Sequence, residues 1–158
     1  TGQPLPQELV NKIEKAATFN QGFATVEYLA SALVDMKLHL AGDVAIDPDA
    51  FERKTLAELG MPKEIPMRHR TPQFMHIFSS DSYSAGYYSY LWSDALTADA
   101  ADVFEEAGSY YDPAVAQSLY ENIMSVGDTI DPAAGFRAFR GRDVDTSALL
   151  RKRGFPVE

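Results

Sequence analysis

Apolar residues recur along this chain at helical spacing, and nowhere do they alternate with polar ones for long enough to predict a strand. Leu9, Val10, Ile13, Ala16 and Ala17 mark a first helix over about 6–18, with Pro6 at its first turn. The next predicted helix, about 20–41, carries Phe23, Val26, Leu29, Leu33, Val34, Met36, Leu38 and Leu40, which wrap more than one face. Such a helix is expected to be buried on several sides. Asn20 is available as its cap, and Glu27, Asp35 and Lys37 are the polar residues it must accommodate.

Three Asp-Pro pairs then punctuate the chain. Asp47-Pro48, Asp112-Pro113 and Asp131-Pro132 each supply a capping carboxylate followed by a residue that tolerates only the first helical turn. They open helices running to about Leu59, to about 126, and through Phe136 and Phe139; glycines at 60, 127 and 141 end these segments. A continuous helix is predicted from about Tyr83 to Ala107, and a short last one over about 145–153. The fold class is therefore all-α, about six helices with one long functional loop.

That loop covers residues 61–82, where Pro62, Pro66 and Pro72 interrupt any regular element. A connection of this length inside a compact domain is uncommon and often functional. Its basic cluster, Arg68-His69-Arg70, has two readings: surface charges that tie the loop down, or a grip on the carboxylate of a peptide C-terminus. Phe74, Ile77 and Phe78 are expected to form a short extended or helical anchor around His76.

Composition narrows the class. The 158 residues are long enough for a core, and 14 basic against 23 acidic side chains give a net charge of −9. That balance argues against nucleic acid and anionic membranes as partners. There is no cysteine, hence no disulfide or thiolate chemistry, which fits a reducing compartment. No apolar run reaches the length of a membrane-spanning helix. Thr1 stands where an initiator methionine would, so a cut N-terminus is expected.

The densest chemistry lies in His76-Ile-Phe-Ser-Ser-Asp-Ser-Tyr83-Ser-Ala-Gly-Tyr87-Tyr88-Ser-Tyr90-Leu-Trp92. Tyr83, Tyr87 and Tyr90 are spaced i, i+4, i+7, so a helix would turn all three hydroxyls to one side. A row of phenols is either core packing with hydroxyls led out to water, or a cleft that donates to peptide carbonyls and a developing oxyanion. Tyr88 falls about 100° round from Tyr87 and is read as core. A catalytic triad from His76, Ser79, Ser80 and Asp81 is rejected, because triad members converge from separate segments.

This run closely resembles the C-terminal part of zinc metallopeptidases of the thimet oligopeptidase and peptidyl-dipeptidase family, nearest the bacterial peptidyl-dipeptidase and oligopeptidase A branch. Phe19-Asn-Gln-Gly-Phe-Ala-Thr-Val-Glu-Tyr-Leu29 and Phe136-Arg-Ala-Phe-Arg-Gly-Arg142 resemble the same family, in the same order. The resemblance implies peptide hydrolysis, with Tyr83 and Tyr90 catalytic on the oxyanion side. It implies substrate binding by His76 and Tyr87; Arg68 and Arg70 are the candidates for a peptide carboxylate. The family's His-Glu-x-x-His zinc motif is absent, since His39, His69 and His76 have no histidine four residues away. Residues 1–158 are thus expected to be a single helical fragment whose zinc-binding helices lie upstream, holding no metal and inactive alone. The Ser-Ser-Asp-Ser82 stretch departs from the glycine-rich loop common in the family. Expected partners are short peptides, the missing N-terminal part, and a second copy through the face that part would cover; the expected location is the cytoplasm. The alternative is a non-catalytic helical module that binds peptides or other proteins.

Overall fold

A computed structural model describes residues 2–157. Among them are seven α-helices and no strand, in accord with the all-α expectation. In order they are α1 (Gln7–Ala17), α2 (Gln21–Leu40), α3 (Pro48–Glu58), α4 (Ser89–Glu106), α5 (Pro113–Leu119), α6 (Pro132–Arg140) and α7 (Ser147–Lys152). Short 3-10 turns at Thr71–Gln73 and Met75–Phe78 lie in the long loop, and a π-helical segment, Tyr120–Met124, extends α5.

The Asp-Pro signals act as capping chemistry predicts. Asp47 Oδ1 accepts the Ala50 amide at 2.9 Å, Asp112 Oδ1 accepts those of Ala114 and Val115, and Asp131 Oδ1 accepts that of Ala134. At the far end of α6, Gly141 adopts a left-handed φ of 83°, which lets its amide close on the Arg137 carbonyl. Asn20 differs from expectation. It precedes α2 in a left-handed conformation, φ 59°, and its side chain makes no capping hydrogen bond. Asparagine tolerates this backbone better than most residues.

The chain divides into two compact units, one of residues 19–90 and the other of the stretch through Thr18 together with residues 91 onward. In the first, Ala30 and Val34 of α2 pack with Leu56 of α3 and Met67 of the long loop. Burial is confined to the middle of α2: Ala30 through Asp35 are buried, Leu33 excepted, while Phe23, Val26 and Leu40 are exposed. The expectation of burial on several sides holds only for that central stretch.

In the second unit, Ala95 and Ala98 of α4 pack against Ala148 and Leu149 of α7. A cavity of about 1090 Å³ lies in this unit, lined mainly by apolar side chains such as Leu96, Phe104, Ile123 and Phe136. The segment read as one helix over 113–126 changes pitch at Tyr120, where the Ser125 amide bonds the Tyr120 carbonyl at 2.9 Å. The Asn122 side chain donates to the Ser118 carbonyl at 2.9 Å beside this widened turn. Gly135 of α6 lies so close that a Cβ there would sit 2.5 Å from the Asn122 carbonyl oxygen.

Candidate active site

The long loop is pinned at its middle by a buried carboxylate. Glu52 of α3 accepts the Thr71 amide at 2.8 Å and hydroxyl at 3.0 Å, and pairs with Arg70 Nε at 2.7 Å. Burying a carboxylate is costly unless its lone pairs are met, and here three donors meet them. Phe74 then turns inward and is buried, and Ile77 follows it into the core. Between them the 3-10 turn leaves His76 half-buried at the surface. The anchor expected around His76 is thus helical, of the 3-10 kind.

The segment after it departs from the sequence reading. The continuous helix expected from Tyr83 begins only at Ser89, so Tyr83 and Tyr87 stand on a loop and Tyr90 alone stands on α4. The loop advances by three-residue turns, with the amides of Tyr83, Gly86 and Ser89 bonding the carbonyls of Ser80, Tyr83 and Gly86. The helical ladder is interrupted because Ala85 is left-handed, φ 56°. The amides of Ala85 and Tyr87 go to Asp35 of α2 instead, at 3.1 and 3.0 Å.

The tyrosines nevertheless converge. Around the His76 ring, centroids of Tyr83, Tyr87 and Tyr90 lie at 4.8, 5.7 and 6.2 Å. The Tyr83 and Tyr87 rings meet it edge-on, the favoured arrangement of aromatic quadrupoles. Tyr87 is the packing centre: it stacks on Tyr28 at 5.3 Å and meets Phe74 and Tyr90 edge-on at 4.9 and 5.5 Å. Tyr83 and Tyr90 stand at the rim, 45% and 53% exposed, so their hydroxyls can meet a ligand from solvent. Tyr88, read as core, is 52% exposed instead and takes no part in the ring contacts around His76.

The basic cluster separates into three roles. Arg70 is held by Glu52 and also by Asp49, and the His69 ring stacks on Phe74 at 4.7 Å. Arg68 is exposed, and its ion pair to Glu27 spans 3.8 Å.

Sequence reading missed Tyr28, Asp35 and His39 as parts of this site. The Tyr28 hydroxyl donates to the Tyr87 carbonyl, and His39 Nδ1 lies 2.8 Å from Asp35 Oδ1. The available signal was a carboxylate in the most apolar stretch of α2, between Val34 and Met36. Among the described residues no three His, Cys, Asp or Glu side chains stand together as a metal-holding group. The residues present do not fit a zinc centre, and what they offer is hydroxyl and imidazole hydrogen bonding on an aromatic floor.

Comparison with known proteins gives this arrangement a family. The model of peptidase family M3 matches residues 1–155. Oligopeptidase A of Escherichia coli (strain K12) is 38% identical over 158 residues, covering 98% of this chain and 23% of that protein. Dipeptidyl carboxypeptidase of the same strain is 34% identical over 160 residues, covering 99% of this chain and 23% of its own length. The probable cytosolic oligopeptidase A of Arabidopsis thaliana is 34% identical, with 98% and 22% covered. The chain thus spans less than a quarter of the length of these relatives, and it belongs to peptidase family M3.

Proposed function

We propose that this chain is the C-terminal helical part of a zinc-dependent oligopeptidase of the peptidyl-dipeptidase type, and that it forms one wall of the substrate channel. The convergence of Tyr83, Tyr87 and Tyr90 on His76, all with ring centroids within 6.2 Å, carries this reading. Family membership and relatives named for oligopeptidase and dipeptidyl carboxypeptidase activity supply the reaction class. Zinc would be held by residues outside this chain and would supply Lewis-acid chemistry there.

The residues of this chain perform the polar work of the site. Attack on a peptide bond turns a neutral carbonyl into an oxyanion, and donors aimed at that oxygen stabilise the transition state more than the ground state. The rim hydroxyls of Tyr83 and Tyr90 are such donors, with no proton given up in the process. His76, held half-buried among the rings, offers a ring nitrogen to the substrate backbone. Tyr87 shapes the floor on which the substrate lies. Arg68 suits the C-terminal carboxylate of a short peptide, whereas Arg70 is engaged by two carboxylates of its own chain.

The same reading makes the rest of the enzyme the principal partner. Every residue of α1 lies outside the core, and Leu9 and Ile13 are exposed along it. This face would be covered by that part, or by a second copy when the chain is alone. A cytoplasmic location goes with the reading; among the described residues no helix is long and apolar enough to cross a membrane.

The test is peptide hydrolysis by the longer protein that carries this chain. Cleavage of short peptides should be lost on chelation and restored by zinc, and His76→Ala should cut kcat/KM about 100-fold, the scale of one lost transition-state contact. A longer protein that binds peptides but never cleaves them would overturn the proposal in favour of a binding module.

A further inference from the structure

We propose that Asp35 is the positioning residue of the tyrosine site: from inside α2 its carboxylate fixes the Ser80–Tyr88 loop so that Tyr83 and Tyr87 close on His76. The inference rests on the reading of the site given above, and Asp35 itself touches no substrate.

Asp35 is fully buried, and a buried carboxylate persists only where donors replace its water. Its two oxygens divide the work. Oδ2 accepts the Tyr87 amide at 3.0 Å; Oδ1 accepts the Ala85 amide at 3.1 Å and faces His39 Nδ1 at 2.8 Å. Two of these three contacts come from loop amides flanking Gly86. The carboxylate therefore replaces the helical ladder that the sequence would otherwise form here.

The loop conformation needs such a hold. Ala85 is one of two non-glycine residues with positive φ among those described, and a left-handed alanine persists only where its surroundings over-determine it. Gly86 closes the turn against Tyr83: its amide bonds the Tyr83 carbonyl at 3.2 Å, and a Cβ there would sit 3.3 Å from the same oxygen. Fixing the amides of residues 85 and 87 thus fixes Tyr83 on one side of the turn and Tyr87 on the other.

α2 supplies the hold as a unit. Tyr28, Asp35 and His39 are seven and eleven residues apart in phase, so they share one helix face. Tyr28 donates to the Tyr87 carbonyl and stacks on its ring, and the His39 ring lies 5.7 Å from that of Phe78. His39 closes the same cluster, its Nδ1 lying 2.8 Å from Oδ1 and 3.3 Å from the Ala85 amide nitrogen. Asparagine cannot replace Asp35, because its amide nitrogen would confront either the Tyr87 amide or the Ala85 amide.

The test has two arms. In the 158-residue chain, NMR hydrogen exchange should show the Ala85 and Tyr87 amides protected, and Asp35→Asn should lower that protection about tenfold or more. Amides of Ala30 and Val34 should keep theirs. In the longer enzyme, Asp35→Asn should cut kcat about tenfold or more with KM changed less than about threefold, the pattern of misplaced transition-state donors. His39→Phe, which keeps a ring beside Phe78 but removes the ring nitrogen that meets Oδ1 and the Ala85 amide, should move both readouts the same way by less, and it decides the matter if Asp35→Asn does not fold. Unchanged exchange at residues 85 and 87, or an unchanged kcat with the loop amides freed, would overturn the inference. Should the unsubstituted longer protein cleave no peptide, the proposed function fails while the exchange arm still decides whether Asp35 holds the loop.

Discussion

Arg142 lays Nη1 and Nη2 on the two oxygens of Asp99, each at 2.7 Å. Arg140 Nε adds a contact at 2.8 Å and the Asp145 amide another at 2.7 Å, so four donors surround a fully buried carboxylate. Both arginines come from Phe136–Arg142, one of the segments that carried the family resemblance. In the structure the segment acts as a clasp between α4 and the chain after α6. Breaking a buried pair of this kind leaves uncompensated charge, so Asp99→Asn should cost about 3 kcal/mol at neutral pH, measured by urea unfolding.

The clasp also gives stability a pH dependence. Burial pushes the Asp99 carboxyl up, but hydrogen bonds from Arg142, Arg140 and the Asp145 amide outweigh it and hold the group at about 2, below its ordinary 3.8. A carboxylate depressed in the folded state stabilises fully above its unfolded value, and the contribution fades as pH falls toward the folded one. Unfolding free energy should therefore drop by about 2 kcal/mol between pH 5 and pH 2 on account of this group. Asp99→Asn should lack that component, which the same titration would reveal.

The two arginines of the long loop should separate by kinetics and stability. Arg70→Ala removes the partner of buried Glu52 and should lower the melting temperature by several degrees, corresponding to a loss of about 1–3 kcal/mol. Arg68→Ala should leave melting nearly unchanged, since exposed ion pairs contribute little. In the longer enzyme it should raise KM for peptides with a free C-terminus and spare C-terminally amidated ones. Equal KM effects on both kinds of peptide would remove Arg68 from the substrate site.

Where capping chemistry dictates structure, the sequence was readable. Asp47, Asp112 and Asp131 cap the helices they were expected to cap, because the carboxylate meets free amides of the first turn and proline fits that turn without its N–H. The Tyr83–Tyr88 segment was misread for a complementary reason. Its residues suit a helix, and only a long-range contact, Asp35 to the amides at 85 and 87, selects the turn instead. Local spacing therefore put Tyr83, Tyr87 and Tyr90 on one face for the wrong reason, while the tertiary fold brings them together by another route. Asp35 stood out as a carboxylate in an apolar helix, but its partners lie 50 and 52 residues away, beyond any periodicity.

Gly135 illustrates a constraint invisible in sequence. Alanine ordinarily gains about 1 kcal/mol over glycine inside a helix. At Gly135 its methyl would meet the Asn122 carbonyl oxygen at 2.5 Å, and overpacking of this kind costs about 1–3 kcal/mol. Gly22 of α2 has nothing within 4 Å of the same position. Thermal unfolding should show Gly22→Ala stabilised and Gly135→Ala destabilised; a stabilised Gly135→Ala would mean that the Asn122 carbonyl yields easily.

Tyr90 and Tyr88 provide the sharpest test of the central claim, because they are equally exposed, 53% and 52%, and differ in whether they face His76. Replacing either with phenylalanine removes one hydroxyl and keeps the ring. In the longer enzyme Tyr90→Phe should lower kcat about 100-fold with KM little changed, as expected for a donor engaged only in the transition state. Tyr88→Phe should leave both constants close to those of the unsubstituted enzyme. Equal, small losses in kcat for the two variants would contradict the account and reduce the rings around His76 to packing.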